Sequence, residues 1–175
     1  MFESNDTFVE DAVKVRETPA DVAKRTGLIA ATIIFLCATF ALTGTLKMIA
    51  TILLIAIGIL TIIVVTNKNI EYEYDYTNGS LEIAKIIDNA KRKTILNIEP
   101  SEVKLVAAVG TNDALRYDHL KLKTYDCSSR EPEAKNYILV GHSEAKGNDF
   151  KVIFTPSDKL LNAISKYNKN ELYMD

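Results

Sequence analysis

A chain of 175 residues with a formal net charge of -2 has no room for two large domains. Its basic and acidic residues are nearly balanced, which speaks against the uniform positive field of a nucleic-acid-binding surface. Its hydrophobic residues, 47% of the total, are concentrated between positions 26 and 66, so the average composition of an ordinary soluble protein conceals an apolar block.

Two helix-start patterns precede that block. In TFVE, Thr7 stands as an N-cap with Glu10 three residues on, predicting a short amphipathic helix with Phe8, Val9, Ala12 and Val13 on one side. Such a helix would either lie in a membrane interface or pack on the soluble part of the chain. In TPAD, Thr18 is the N-cap, Pro19 takes the first helical position and Asp21 the third, opening a longer helix.

No charge occurs from Thr26 to Leu46, Lys47 stands alone, and none occurs again from Met48 to Thr66. Each run approaches the roughly 20 residues with which a helix crosses about 30 Å of hydrocarbon, and both are apolar all round. Two spans, 26–46 and 48–66, joined by a turn at TGTLK, are therefore expected. A cleaved leader fits poorly, because the first run begins too far into the chain and a second span follows at once. Lys14, Arg16, Lys24 and Arg25 before the spans and Lys68 after them, against Lys47 between them, place both chain ends in the cytoplasm, with the protein integral to the membrane. Neither span carries an ionisable group, which argues against a transport path.

Beyond Lys68 the pattern alternates. Ile70, Tyr72, Tyr74 and Tyr76 point one way and Glu71, Glu73 and Asp75 the other, and Asn78-Gly79 then supplies the pair favoured in two-residue hairpin loops. The register that follows sets Tyr76 opposite Leu81, Tyr74 opposite Ile83, Tyr72 opposite Lys85 and Ile70 opposite Ile87, with one unfavourable facing pair, Asp75 and Glu82. Five more strands are expected at 94–98, 103–109, 120–126, 137–142 and 150–154, the last two joined by a polar loop containing Gly147-Asn148. A C-terminal amphipathic helix should follow, with Thr155 as cap, Pro156 first, and Leu160, Leu161, Ile164 and Tyr167 as its apolar stripe.

The expected fold is thus a membrane α-helical hairpin plus a mainly β domain. The latter is a seven-stranded antiparallel sheet or open barrel with a helix over one mouth, the element order of a pleckstrin-homology (PH) domain. In domain terms, 1–25 is a cytoplasmic N-terminal segment with the short helix, 26–66 the transmembrane hairpin, and 67–175 the PH-like domain.

The segments FVEDAVKVRET (8–18), EYEYDYTNGSLEIAKIIDNAKRKTILNI (71–98), YDCSSREPEAKNY (125–137) and FTPSDKLLNAI (154–164) resemble those of a domain-of-unknown-function family of small two-span membrane proteins from Gram-positive anaerobes. Their soluble part is similar to bacterial PH-like domains. The resemblance implies the same architecture and brings no catalytic or ligand-binding residue to any position.

Candidate chemistry is sparse. His119 and His142 have no second ligand at metal-binding spacing, and neither a Gly-rich phosphate loop nor any other cofactor motif occurs. Cys127 with His142 as its base is the one nucleophile pairing to weigh, a remote cysteine-hydrolase reading against a simple loop role for Cys127.

The cluster Lys91-Arg92-Lys93 reads as a loop that the second strand of the hairpin brings back to the level of the membrane, where these cations and Lys68 would meet anionic lipid headgroups. Glu71 and Glu73 would hold or limit that loop. The first expectation is a non-enzymatic, membrane-anchored scaffold that binds a protein or peptide partner, and the second a lipid-sensing or lipid-handling protein using 91–93.

Overall fold

A computed structural model describes residues 7–66, 68–143 and 147–167, and the backbone of 172–173. The chain divides into two compact units: residues 17–69, and a β-rich unit made of 1–16 together with 70–175.

The first unit is a helical hairpin, α1 (Pro19–Ala41) and α2 (Gly44–Thr66), each of 23 residues. At 1.5 Å per residue each helix is about 35 Å long, enough to cross a bilayer. The start of α1 is the one read from TPAD: Thr18 accepts from the Asp21 N–H at 3.2 Å and the Asp21 carboxylate accepts from the Thr18 N–H at 3.0 Å. The turn is tighter than TGTLK suggested. Leu42 and Thr43 make it, Gly44 takes φ +62°, and Lys47 already lies in the first turn of α2. Thr32 and Thr61 hydrogen-bond across the hairpin at 2.9 Å, while Phe40, Ile52, Ile62 and other large apolar side chains are exposed.

The second unit opens with β1 (Phe8–Lys14), where a helix was expected. β1 pairs antiparallel with β2 (Ile70–Thr77), setting Val9 opposite Tyr76, Asp11 opposite Tyr74 and Val13 opposite Tyr72. A seven-residue helix is marginal in water by itself, and pairing with β2 satisfies the same backbone groups while burying Val9. Thr7 caps no helix. Its N–H donates to Asn78 Oδ1 and its carbonyl accepts from the Asn78 N–H, both at 3.0 Å, tying the start of β1 to the next turn. The apolar hairpin is consequently an insertion between two adjacent strands of one sheet.

β2, β3 (Ser80–Ile87) and β4 (Lys91–Ile98) complete that sheet in the order β1-β2-β3-β4. The β2–β3 register is the expected one at every pair. Asn78 at φ +50° and Gly79 at φ +99° adopt the two left-handed conformations that a two-residue hairpin loop requires. Strand β4 begins three residues earlier than read, so 91–93 are strand and not loop, and the ladder slips between Thr94 and Leu96, leaving Ile95 as a bulge.

The second sheet has the order β6-β8-β7-β5-β9, from β5 (Val103–Ala108), β6 (Lys123–Cys127), β7 (Tyr137–Ser143), β8 (Asn148–Phe154) and the two-residue β9 (Leu172–Tyr173). It is not wholly antiparallel: β6 runs parallel to β8, and β9 parallel to β5. Gly147 takes φ +61° at the β7–β8 turn, and 144–146 of that expected loop lie outside the described residues.

One face of this sheet packs with the first sheet around Tyr74, Tyr76, Ile83, Leu139, Val152 and Phe154. Its other face buries Leu105, Ala107, Ile138 and Val140 under the short helix α3 (Asn112–Leu115), Tyr117 and Leu122. Covering on both faces explains why Tyr137–Gly141 is a continuous buried run.

Helix α4 (Asp158–Tyr167) closes the unit with Leu160, Leu161, Ala163 and Ile164 buried. Its cap is Ser157, whose hydroxyl accepts from the Leu160 N–H at 3.3 Å, two residues later than Thr155. Asp11 of β1 accepts the Ser157 N–H at 2.6 Å, so the first strand helps to cap the last helix.

Candidate interaction groove

Tyr74, fully buried, donates its hydroxyl to the Cys127 carbonyl at 2.6 Å and accepts from the Thr155 N–H at 3.3 Å, linking the two sheets. Burial holds its phenol well above the ordinary range. The Thr155 hydroxyl donates to Asn136 Oδ1 at 2.7 Å and accepts from the Ser129 N–H at 2.9 Å. The Ser129 carbonyl takes the Arg16 N–H at 2.8 Å, and Arg16 pairs with Glu131 at 3.2 Å. All four of the segments that carry the family resemblance meet at this junction, whose polar groups satisfy one another. Its chemistry is structural.

Cys127 is buried at the same junction, and its thiol is pushed up to about 12, first by burial and then by Asp126. It lies level with Phe154 and, beyond that, Tyr137. His142 is five residues further along β7, about 16 Å away at strand rise. The nucleophile and base are not brought together. His142 instead meets Asp149 at 2.6 Å, and Asp149 also accepts from Lys104 at 2.7 Å. His119 is exposed, and no cluster of three metal-ligating side chains exists among the described residues.

The basic cluster is rearranged by its place in a strand. Arg92 reaches over β3 and β2 to Glu82 at 2.9 Å, Asp75 at 2.7 Å and Glu73 at 2.8 Å. This answers the unfavourable Asp75–Glu82 pairing, since one guanidinium fork lies between the two acids and Glu73. Glu82 is held below the ordinary carboxylate range by Arg92 and Thr94. Asp75 is raised despite its short contact, because burial and the neighbouring Glu73 outweigh the cation. Arg92 is therefore committed within the sheet. Lys91 and Lys93 are exposed, Lys93 facing Lys85, and Lys68 is exposed. Of the four residues expected at lipid headgroups, three remain outward. Glu73 does hold the cluster, through Arg92 alone.

A feature not read from the sequence is an open groove of about 920 Å³ between β4 and β6. Ile95, Leu96 and Asn97 form one wall and Lys121, Leu122, Lys123 and Tyr125 the other, with Phe150 and Asp149 between them. Among the described residues both flanking strands are sheet edges: β4 is bonded to β3 alone, and β6 to β8 alone. The available signal was the alternation from Leu120 to Tyr125, but a strand that borders a groove and one that borders solvent read alike.

Two sheets packed over a shared core, a closing C-terminal helix and a groove at an open corner define a small β domain of the PH-like class, here with an apolar helical hairpin inserted after its first strand. The chain belongs to the family described as bacterial PH-like domain (DUF6106), whose model matches residues 5–174. No curated protein and no solved structure gives a significant match to the chain.

Proposed function

We propose that this is an integral membrane protein whose two-helix hairpin anchors a PH-like domain on the cytoplasmic face of the bacterial cell membrane, where the domain binds a protein partner without catalysing a reaction. The observation that carries the reading is the groove between β4 and β6, an open concavity of mixed polar and apolar lining with two strand edges, each bonded to one neighbour among the described residues. Membrane insertion is supported by two helices long and apolar enough to cross, in which Ala50 alone among the described residues is buried. Because β1 and β2 pair, the segments that enter and leave the hairpin must lie on one side of any membrane it crosses. The charge bias assigns that side to the cytoplasm.

The test is a photo-crosslinking side chain placed at Lys121 in the full chain, in native membranes, with the same group at Asp88 in the β3–β4 turn as reference. A discrete crosslinked protein from position 121 and none from 88 is expected. Identical patterns at the two sites would remove the groove from the account. A reporter fused after Asp175 should read cytoplasm.

A second reading keeps some support from the exposure of Lys91, Lys93 and Lys68, which remain available to anionic headgroups. It predicts that amide protection around 88–93, measured on the full chain in nanodiscs, rises with anionic lipid and falls back with salt. Equal protection in zwitterionic lipid would dispose of it.

A further inference from the structure

The groove has an electrostatic sign that its composition conceals. Of its acids, Asp149 accepts from Lys104 at 2.7 Å and meets His142 at 2.6 Å, so its charge is answered, whereas Glu102 accepts the Glu99 N–H at 3.2 Å and contributes one negative charge. Lys121 and Lys123 make no ion pair among the described residues, Lys123 lying 5.0 Å over the Tyr125 ring. Two lysines against the one carboxylate of Glu102 leave the groove a positive sign toward an occupant.

The two flanking edges also differ. β4 opens with three consecutive cations and is bulged at Ile95, two devices that discourage strand addition. β6 pairs with β8 in an unbroken ladder over five residues and contains neither proline nor bulge, and no described residue pairs with its other edge. Along β6, Lys123 and Tyr125 line the groove while Thr124 and Asp126 do not, as strand alternation requires.

We propose that the β6 edge takes up a short extended peptide segment of a partner as an added strand, with carboxylates of that segment facing Lys121 and Lys123 and an apolar side chain on Ile95, Leu96 and Phe150. This rests on the reading of the groove as the partner site and adds the partner's chemistry: backbone pairing to β6 supplies affinity, and the two lysines select acidic sequence.

The experiment selects binders from a short random peptide library on the full chain in nanodiscs. Sequences enriched in Asp and Glu with interleaved apolar residues are expected, with increased amide protection across β6. The charge-reversed variant Lys121→Glu/Lys123→Glu, altered only at solvent-facing positions, should weaken them at least about tenfold. N-methylation of alternate backbone nitrogens in the best peptide, which keeps every charge, should abolish binding. Neutral or basic winners, retained affinity in the charge-reversed variant, or an N-methylated peptide that binds as well as its parent would each overturn the inference. If any of these occurs while the Lys121 crosslink still captures a partner, the groove reading stands and only the peptide chemistry fails. A silent crosslink removes both.

Discussion

Replacing Tyr74 by Phe removes one oxygen from a fully buried ring and strands two backbone groups, the Cys127 carbonyl and the Thr155 N–H. A buried group left without its partner costs about 1–3 kcal/mol. The Thr155 contact, at 3.3 Å, is the weaker of the two, so the sum should be about 2 kcal/mol. For a domain of this size that lowers the melting midpoint by about 6–8 °C.

All eight tyrosines lie beyond position 70, so the tyrosine band of the near-ultraviolet circular dichroism of the full chain in detergent follows the β domain. Tyr76→Phe is the informative companion. Tyr76 is equally buried, but its hydroxyl has no partner among the described residues, and burial pushes its phenol up to about 12. Deleting that hydroxyl should leave the midpoint unchanged or slightly raised. Equal shifts in the two variants, or a fall of less than about 2 °C for Tyr74→Phe, would refute the assignment of Tyr74 as the link between the sheets.

Further outcomes follow from the same contacts. Gly79→Ala should cost about 1–3 kcal/mol in chemical denaturation, because φ is +99° there and an added Cβ would stand 2.7 Å from Pro100 Cγ. Asp11→Ala should cost about 1 kcal/mol through the lost acceptor of the Ser157 N–H, whereas Glu10→Ala on the exposed face should stay within about 0.5 kcal/mol; equal effects would contradict the strand assignment of β1. The Asp149 carboxyl is held below its ordinary value, chiefly by Lys104 and then by His142. Its contribution to stability is therefore present above the ordinary carboxylate value and is lost as pH falls through the depressed one. Lys104→Met should raise the Asp149 midpoint seen by carboxyl NMR, and the stability gap between wild type and variant should close on acidification.

Much of this architecture is legible in the sequence because single elements declare themselves. Tyr72, Tyr74 and Tyr76 alternate with acids up to an Asn-Gly pair, and the turn geometry then fixes every partner in the next strand. Thr18, Pro19 and Asp21 mark the start of α1 to the residue. β1 was misread because Thr7 and Glu10 imitate a helix start, while the inward position of Asp11 interrupts an otherwise apolar run of Val9, Val13 and Val15. That aspartate faces inward because a helix terminus from the far end of the chain needs an acceptor, a requirement no local window contains. Sheet order is hidden for the same reason: β6 and β8 are parallel neighbours although β7 separates them in sequence. The Arg92 fork was hidden too, since its three carboxylates come from β2 and β3. Only the assembled sheet shows which cation is occupied and which are available.

The place of the hairpin, between β1 and β2, bears on how the protein is made. β1 leaves the ribosome before the two long helices, and its partner strand is synthesised only after them, so the sheet cannot close while the apolar segment is still emerging. Until then Val9 and Val13 have no strand to pack on, and the tyrosine face of β2 does not exist. Once α1 and α2 have paired, the loop that β1 and β2 must close is shortened from a long flexible chain to a compact hairpin, and the entropy cost of joining them falls. Completion of the β domain thereby becomes a check on the hairpin. A chain whose helices fail to pair leaves β1 free and the β2 edge that it covers exposed for longer, a state open to aggregation and proteolysis.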